Sequence, residues 1–218
     1  MTKEADIRNE LFCSIIDMVR TRHADTIDKA YKYFWDEQDP EEFLSGTAYT
    51  LGFHNFEDWL VCDYPANEAK ETFIDIYLRE NEDVSGEGRD LLGRMRASVM
   101  SLYEVSSVSK GKRVIVKDLL LGGEHALRDR KLSEGLTTGD IFATRLLELD
   151  GKTAMAACVF PYPAAEKKKI LKYIDRQFGR YVRNVKPGGS MRDYLKDYGD
   201  VFNLIWIHLL LNPDELTI

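Results

Sequence analysis

Leu102-Tyr-Glu-Val-Ser-Ser-Val, Arg113-Val-Ile-Val-Lys-Asp-Leu-Leu-Leu, Ile141-Phe-Ala-Thr-Arg-Leu-Leu-Glu-Leu and Lys152-Thr-Ala-Met-Ala-Ala-Cys-Val-Phe decide the fold. These runs are rich in β-branched and apolar residues and are separated by turn signals, so they read as strands. Ser109-Lys-Gly-Lys joins the first two as a hairpin turn. Asp150-Gly151 joins the last two, and Asp-Gly between apolar runs is the strongest short-range hairpin signal. His125-Ala-Leu-Arg-Asp, after the break at Gly122-Gly123, reads as a further short strand. Short strands with tight turns between Leu102 and Pro163 predict a small antiparallel sheet or partly open barrel.

Outward from this segment the pattern turns helical. Ile7, Leu11, Phe12, Ile15, Ile16 and Val19 share one face, and Ile27, Tyr31 and Phe34 continue after a break near Asp25. Asp39-Pro40-Glu41-Glu42 is a helix start, with an N-cap acid, a first-turn proline and carboxylates against the dipole. That helix is expected to end at Gly46, with Asn55 capping a new one that stops before Pro65. Helices are also expected over 71–79 and 89–101. On the far side, Ile170, Leu171, Ile174, Phe178, Tyr181, Val182 and Val185 form the clearest stripe in the chain. Ser190 caps a last helical region that becomes apolar nearly all round from Val201 to Leu211. The reading is α+β: N-terminal helices over 1–101, a β unit over 102–163 and C-terminal helices over 164–218, as one compact domain or two packed ones.

Charge is unevenly distributed along the 218 residues. Residues 1–100 carry 11 Lys and Arg against 22 Asp and Glu, whereas 164–218 carry 10 against 7. The acidic half disfavours phosphate backbones, so any nucleic-acid role falls to the basic end. Cys13, Cys62 and Cys158 have no paired spacing, and the N-terminus lacks the apolar core of a secretion signal. The longest apolar run, Leu204 to Leu211, is far short of a membrane span. Free thiols, a cytoplasmic location and no membrane are expected.

A family resemblance enters with Phe56, Trp59, Asp63 and Tyr64, then Thr72-Phe73 and Leu78, Tyr103-Glu-Val, Lys117-Asp-Leu-Leu, Gly123-Glu124, Asp129-Arg130 and Gly139-Asp140. In this order they resemble an uncharacterised bacterial domain that, in longer relatives, stands ahead of a C-terminal SEC-C zinc motif. The resemblance spans roughly residues 50–160. No cysteine follows Cys158, so the zinc motif is absent and nothing those relatives owe to it carries over.

Candidate chemistry is sparse. Asp63 beside Trp59 could act as a carboxylate in an aromatic pocket, although an acid at a helix exit next to a core tryptophan accounts for it as well. Asp63, Asp118, His125, Asp129, Arg130 and Asp140 form the polar cluster associated with the β segment, with His125 and Asp129 as a general-base pair for a hydrolase. No Gly-flanked nucleophile, P-loop or dinucleotide fingerprint accompanies them. His54, Asp58 and Cys62 have helical ligand spacing, but with a cap at Asn55 they would not share a face, so no metal and no cofactor are expected.

The basic face of the 167–196 region, with Lys167, Lys168, Lys172, Arg176 and Arg183, is interleaved with Tyr173, Tyr181, Tyr194 and Tyr198. Charge plus stacking suits a single-stranded nucleic acid. It also suits docking on acidic helices, the chain's own or a second copy's in a homodimer. The leading expectation is a non-enzymatic interaction domain with a protein partner, ahead of nucleic-acid binding and a hydrolase.

Overall fold

The computed structural model describes residues 3–211, and the chain divides into two compact units. The first comprises 3–98 with 147–151, and the second 99–146 with 152–211.

In the first unit, α1 (Lys3–Arg22) and α2 (Ala24–Phe34) meet at His23. Asp39 accepts from the Glu41 N–H at 2.9 Å and starts the one-turn helix α3 (Pro40–Phe43), as its acid-proline signature predicts. The chain then re-enters a helix at once. α4 runs unbroken from Gly46 to Cys62, so the expected start at Asn55 is wrong. Gly46, at φ +55°, supplies the turn that lets the backbone restart there. Within α4, Gly52 leaves space for Trp35: a Cβ at that position would lie 2.8 Å from Trp35 Cη2. Tertiary packing outweighs the low helix propensity of glycine. α5 (Phe73–Glu80) carries a capping box between Thr72 and Asp75. α6 (Gly86–Ala97) begins at a Ser85 cap rather than at Arg89 and stops short of the expected Ser101.

The core of this unit is aromatic. Trp59 lies 5.1 Å from Phe34 and 6.4 Å from Phe56, and Phe34 meets Trp35 edge-on at 5.2 Å, ring to ring. Ile15, Val19, Phe73, Ile74, Leu91 and Leu92 are buried with them.

The second unit holds, except for the end of β4, a five-stranded antiparallel sheet, β1 (Met100–Ser109), β2 (Arg113–Asp118), β3 (Glu124–Leu127), β4 (Ile141–Leu149) and β5 (Lys152–Tyr162). Its order is β3-β2-β1-β4-β5, with a register shift between Val105 and Ser107 on β1. β3 and β5, the two edges, approach each other but do not pair, so the sheet curls without closing. The β4–β5 turn has Asp150 at φ +49° and Gly151 at φ +67°, the two left-handed positions of a type I′ hairpin that Asp-Gly favours. A short helix, α7 (Arg130–Gly135), follows β3; the sequence reading did not anticipate it. Tyr103, Val105, Val114, Val116, Leu127 and Phe142 form a buried cluster on the sheet. α8 (Lys167–Asn184), α9 (Met191–Asp197) and α10 (Val201–Leu211) complete the unit, and the Tyr162 hydroxyl donates to the Phe202 carbonyl at 2.7 Å. No helix among the described residues is long and apolar enough to cross a membrane.

Candidate functional site

Sequence periodicity places Ile170, Ile174 and Tyr181 on the buried face of α8. The chain then reverses through Pro187-Gly188-Gly189, and two features fix that reversal. Gly188 adopts φ +78°, and at Gly189 a Cβ would stand 2.8 Å from Tyr181 Cε1 and 3.0 Å from the Lys186 carbonyl oxygen. Ser190 and Asp193 form the predicted cap of α9: the Asp193 N–H donates to the Ser190 hydroxyl, and the Asp193 carboxylate accepts from the Ser190 N–H at 2.8 Å. The Lys186 ammonium, 2.6 Å from Asp193, ties the loop to the helix. With the last turn of α8, α9 and the start of α10 so held, a cleft of about 230 Å³ opens among them.

Four tyrosines line the cleft: Tyr173, Tyr181, Tyr194 and Tyr198. Tyr194 and Tyr198 stack at 5.7 Å with a 25° tilt, and Tyr181 meets Tyr198 edge-on at 5.8 Å. The Tyr181 hydroxyl donates to Asp197 at 2.6 Å. Burial pushes the Tyr173 phenol above its usual value, against the opposing pull of Arg176 and Arg180. Burial also raises Tyr194, helped by Tyr173, Asp200 and Tyr198. Tyr173 and Tyr194 therefore stay protonated at neutral pH. They offer ring faces and O–H groups, not charge. The Arg176 guanidinium sits 5.6 Å over the Tyr173 ring, a cation–π contact. Arg180 lines the cleft and is exposed, donating to Gln177 at 3.3 Å. Tyr198 is 36% exposed, so part of its ring remains open to a ligand.

The expected basic face is only partly available. Lys167 is tied to Glu104 at 2.7 Å, whereas Lys168, Lys172, Arg176 and Arg183 are exposed. Arg180, Gln177 and Asp200 were not singled out from the sequence. Arg180 could have been found there, since it follows Arg176 by four residues and Tyr173 by seven, one helical face.

The polar cluster of the β segment resolves into separate local roles. Asp118 is buried and accepts from the Ser101 hydroxyl at 2.7 Å and from the Leu120 and Leu121 N–H groups. The Tyr103 phenol is pushed up by burial and by that same carboxylate. Asp129 caps α7 through the Leu132 N–H at 2.9 Å, and Arg130 pairs with Glu134. Asp140 accepts from the Thr137 N–H at 2.7 Å. The His125 ring lies edge-on to Tyr103, and among the described residues no hydrogen bond or ion pair joins His125 to Asp129. Asp63 belongs to the first unit, where it is the buried C-cap of α4 and its N–H donates to the Trp59 carbonyl at 2.8 Å.

His54, Asp58 and Cys62 do share one helix, contrary to the expectation from an Asn55 cap. His54 is exposed while Asp58 and Cys62 are buried, and among the described residues no group of three potential ligands gathers.

The profile of DUF7986, a family of unknown function, matches residues 49–184, more than half of the chain, and the chain belongs to that family. The match opens within α4 and closes on the last residue of α8, so it includes Tyr173, Gln177, Arg180 and Tyr181 but not the α9 wall of the cleft. No curated protein and no solved structure matches the chain.

Proposed function

We propose that this DUF7986 member is a non-enzymatic binding protein whose second unit takes single-stranded nucleic acid across the tyrosine cleft. One observation carries the reading: four tyrosines surround the cleft, with Arg176 and Arg180 beside Tyr173 and Tyr198 partly open. Every base has a π face, so stacking on tyrosine tolerates any sequence, and exposed guanidinium groups serve the phosphates. α8 carries seven Lys and Arg against one acid, a stripe along which a backbone can run. Asp197 stands on the α9 side, where its carboxylate accepts the Tyr181 hydroxyl, so the phosphates are assigned to the α8 side with Arg176 and Arg180. The reading goes with a reducing cytoplasm, in which Cys13, Cys62 and Cys158 remain free thiols.

The test is fluorescence anisotropy of a labelled dodecathymidylate titrated with the full chain at several salt concentrations. Affinity should fall with salt by about 0.7 log unit per tenfold change in salt for each phosphate neutralised. Tyr198→Ala should weaken binding by ~1–3 kcal/mol while Tyr198→Phe should not, because the ring and not the hydroxyl stacks. Arg176→Glu with Arg180→Glu should reduce both affinity and salt slope. Binding that is indifferent to the arginine pair and to Tyr198→Ala would remove the proposal.

A further inference from the structure

Residues 33–69 of the first unit contain nine Asp and Glu, nine aromatic residues and no Lys or Arg. Four of the nine rings are buried in the core, and the others are half-buried or exposed. Tyr49 and Phe53 lie 5.6 Å apart, and Tyr31, from α2, is 6.5 Å from Phe53, ring to ring. Phe53 is 36% exposed, and Tyr31 and Tyr49 are half-buried. The Tyr49 hydroxyl donates to Glu41 at 3.2 Å, which brings the first turn of α3 against these rings. Asp39 and Glu41 both act on the Tyr31 and Tyr49 phenols, and each pushes them up after the larger effect of burial. Asp39, Glu41 and Glu42 are exposed.

Helix capping explains Asp39 and a first-turn preference explains Glu41 and Glu42. Neither explains partly exposed rings beside them, nor a run of this length without one Lys or Arg. Such a face repels phosphate backbones and leaves acidic peptides without a counter-charge. It is complementary to cations twice over: carboxylates pair with them, and the negative faces of phenyl and phenol rings attract them.

We propose that this face docks a lysine- or arginine-rich segment of a partner protein. Side-chain cations would lie over Tyr49 and Phe53 and pair with Asp39 and Glu41. The site uses none of the residues of the tyrosine cleft, so the two readings stand or fall separately.

A fluorescein-labelled nona-arginine peptide, titrated with the full chain at low salt, tests it. The wild type should bind the peptide and not a nona-glutamate control. Glu41→Lys should weaken binding roughly tenfold, since an opposed charge at the contact acts beyond net charge. Glu82→Lys, the same charge change at an exposed residue outside the face, should have less than about a twofold effect. Phe53→Leu keeps an apolar side chain but removes the π face, and should cost a factor of about two to five. If Glu41→Lys unfolds α3, Glu41→Gln keeps the first turn and should still weaken binding measurably. Equal losses for Glu41→Lys and Glu82→Lys would reduce the effect to bulk charge and overturn the proposal. So would unchanged affinity in Glu41→Gln and Phe53→Leu. A change in sedimentation of the chain alone on Glu41→Lys, with peptide affinity unchanged, would also overturn it by assigning the face to a second copy.

Discussion

Residues 33–69 and residues 167–198 both gather aromatic rings, yet they use them in opposite ways. In the first unit four of the nine rings, Phe34, Trp35, Phe56 and Trp59, are core and at most 5% exposed, and the segment that carries them has acids but no Lys or Arg. In the second unit the rings are tyrosines around a cleft, and the helix beneath them carries seven bases against one acid. The difference teaches that ring content alone does not indicate a ligand. Charge around the rings selects cation or anion, and the depth of burial separates the rings that hold the fold from those that can bind.

The comparison breaks most visibly at the level of stability. Trp59→Ala should destabilise the first unit by ~3–5 kcal/mol, the usual cost of deleting a large buried ring. Tyr198→Ala, at a partly exposed ring, should cost less than ~1 kcal/mol. Urea unfolding of each variant measures both. Equal losses would mean that the cleft tyrosines are core after all, and the contrast would fall.

A finer test uses two glycines that each face a ring. At Gly52 an added Cβ lies 2.8 Å from Trp35 and 3.0 Å from Leu44, inside a dense core. At Gly189 it lies 2.8 Å from Tyr181 and 3.0 Å from a backbone carbonyl, at a loop. Overpacking costs ~1–3 kcal/mol, so thermal midpoints should drop for both alanine variants, with Gly52→Ala the larger because a loop can shift. Gly189→Ala should also displace Tyr181, and so weaken oligonucleotide binding without touching the nona-arginine site.

The smallest effects lie at the extremes of pH, where a carboxylate of the second region and a phenol of the first each leave a separate mark. Lys186 and the Ser190 hydroxyl hold the Asp193 carboxyl well below its ordinary 3.8. A depressed carboxylate contributes stability that is present above its unfolded value and is lost as pH falls. Asp193→Asn should therefore flatten the acid limb of a melting profile below pH 4 and, because Asp193 also raises Lys186, remove part of the loss above pH 10. Tyr31 is pushed up from 10.0 to about 12, first by burial and then by Tyr49, Asp39 and Glu41. A raised phenol contributes stability that is complete below pH 10 and disappears as pH rises toward 12. Tyr31→Phe should flatten that alkaline loss only. An acid limb changed by Tyr31→Phe would contradict the assignment of that phenol to the alkaline limb.

Much of this was legible in the residues. Asp150-Gly151 specified its hairpin because two left-handed positions are cheap for that pair, and Ser190 and Asp39 specified helix starts because their side chains satisfy nearby N–H groups. The stripe of α8 and its alternation with bases pointed to the face on which the cleft forms. These are local effects, fixed within a few residues. The errors were equally local in origin. Asn55 resembles a cap and Gly46 a helix end, whereas Gly46, at φ +55°, opens α4.

Three decisions belonged to the tertiary structure. Tyr194 and Tyr198 join Tyr173 and Tyr181 only because the Gly188-Gly189 reversal folds α9 back on α8. Asp118, Asp129 and Asp140, close in sequence, are consumed one by one by backbone N–H groups that the turns leave unsatisfied. Among the many rings of residues 31–64, it is packing that buries Trp59 and leaves Phe53 exposed next to Tyr49, whose hydroxyl donates to Glu41. Sequence determined which residue types each segment could offer, through periodicity, turn chemistry and charge. Burial and long-range contact decided which of them are structural and which remain free to bind, because both depend on neighbours distant along the chain.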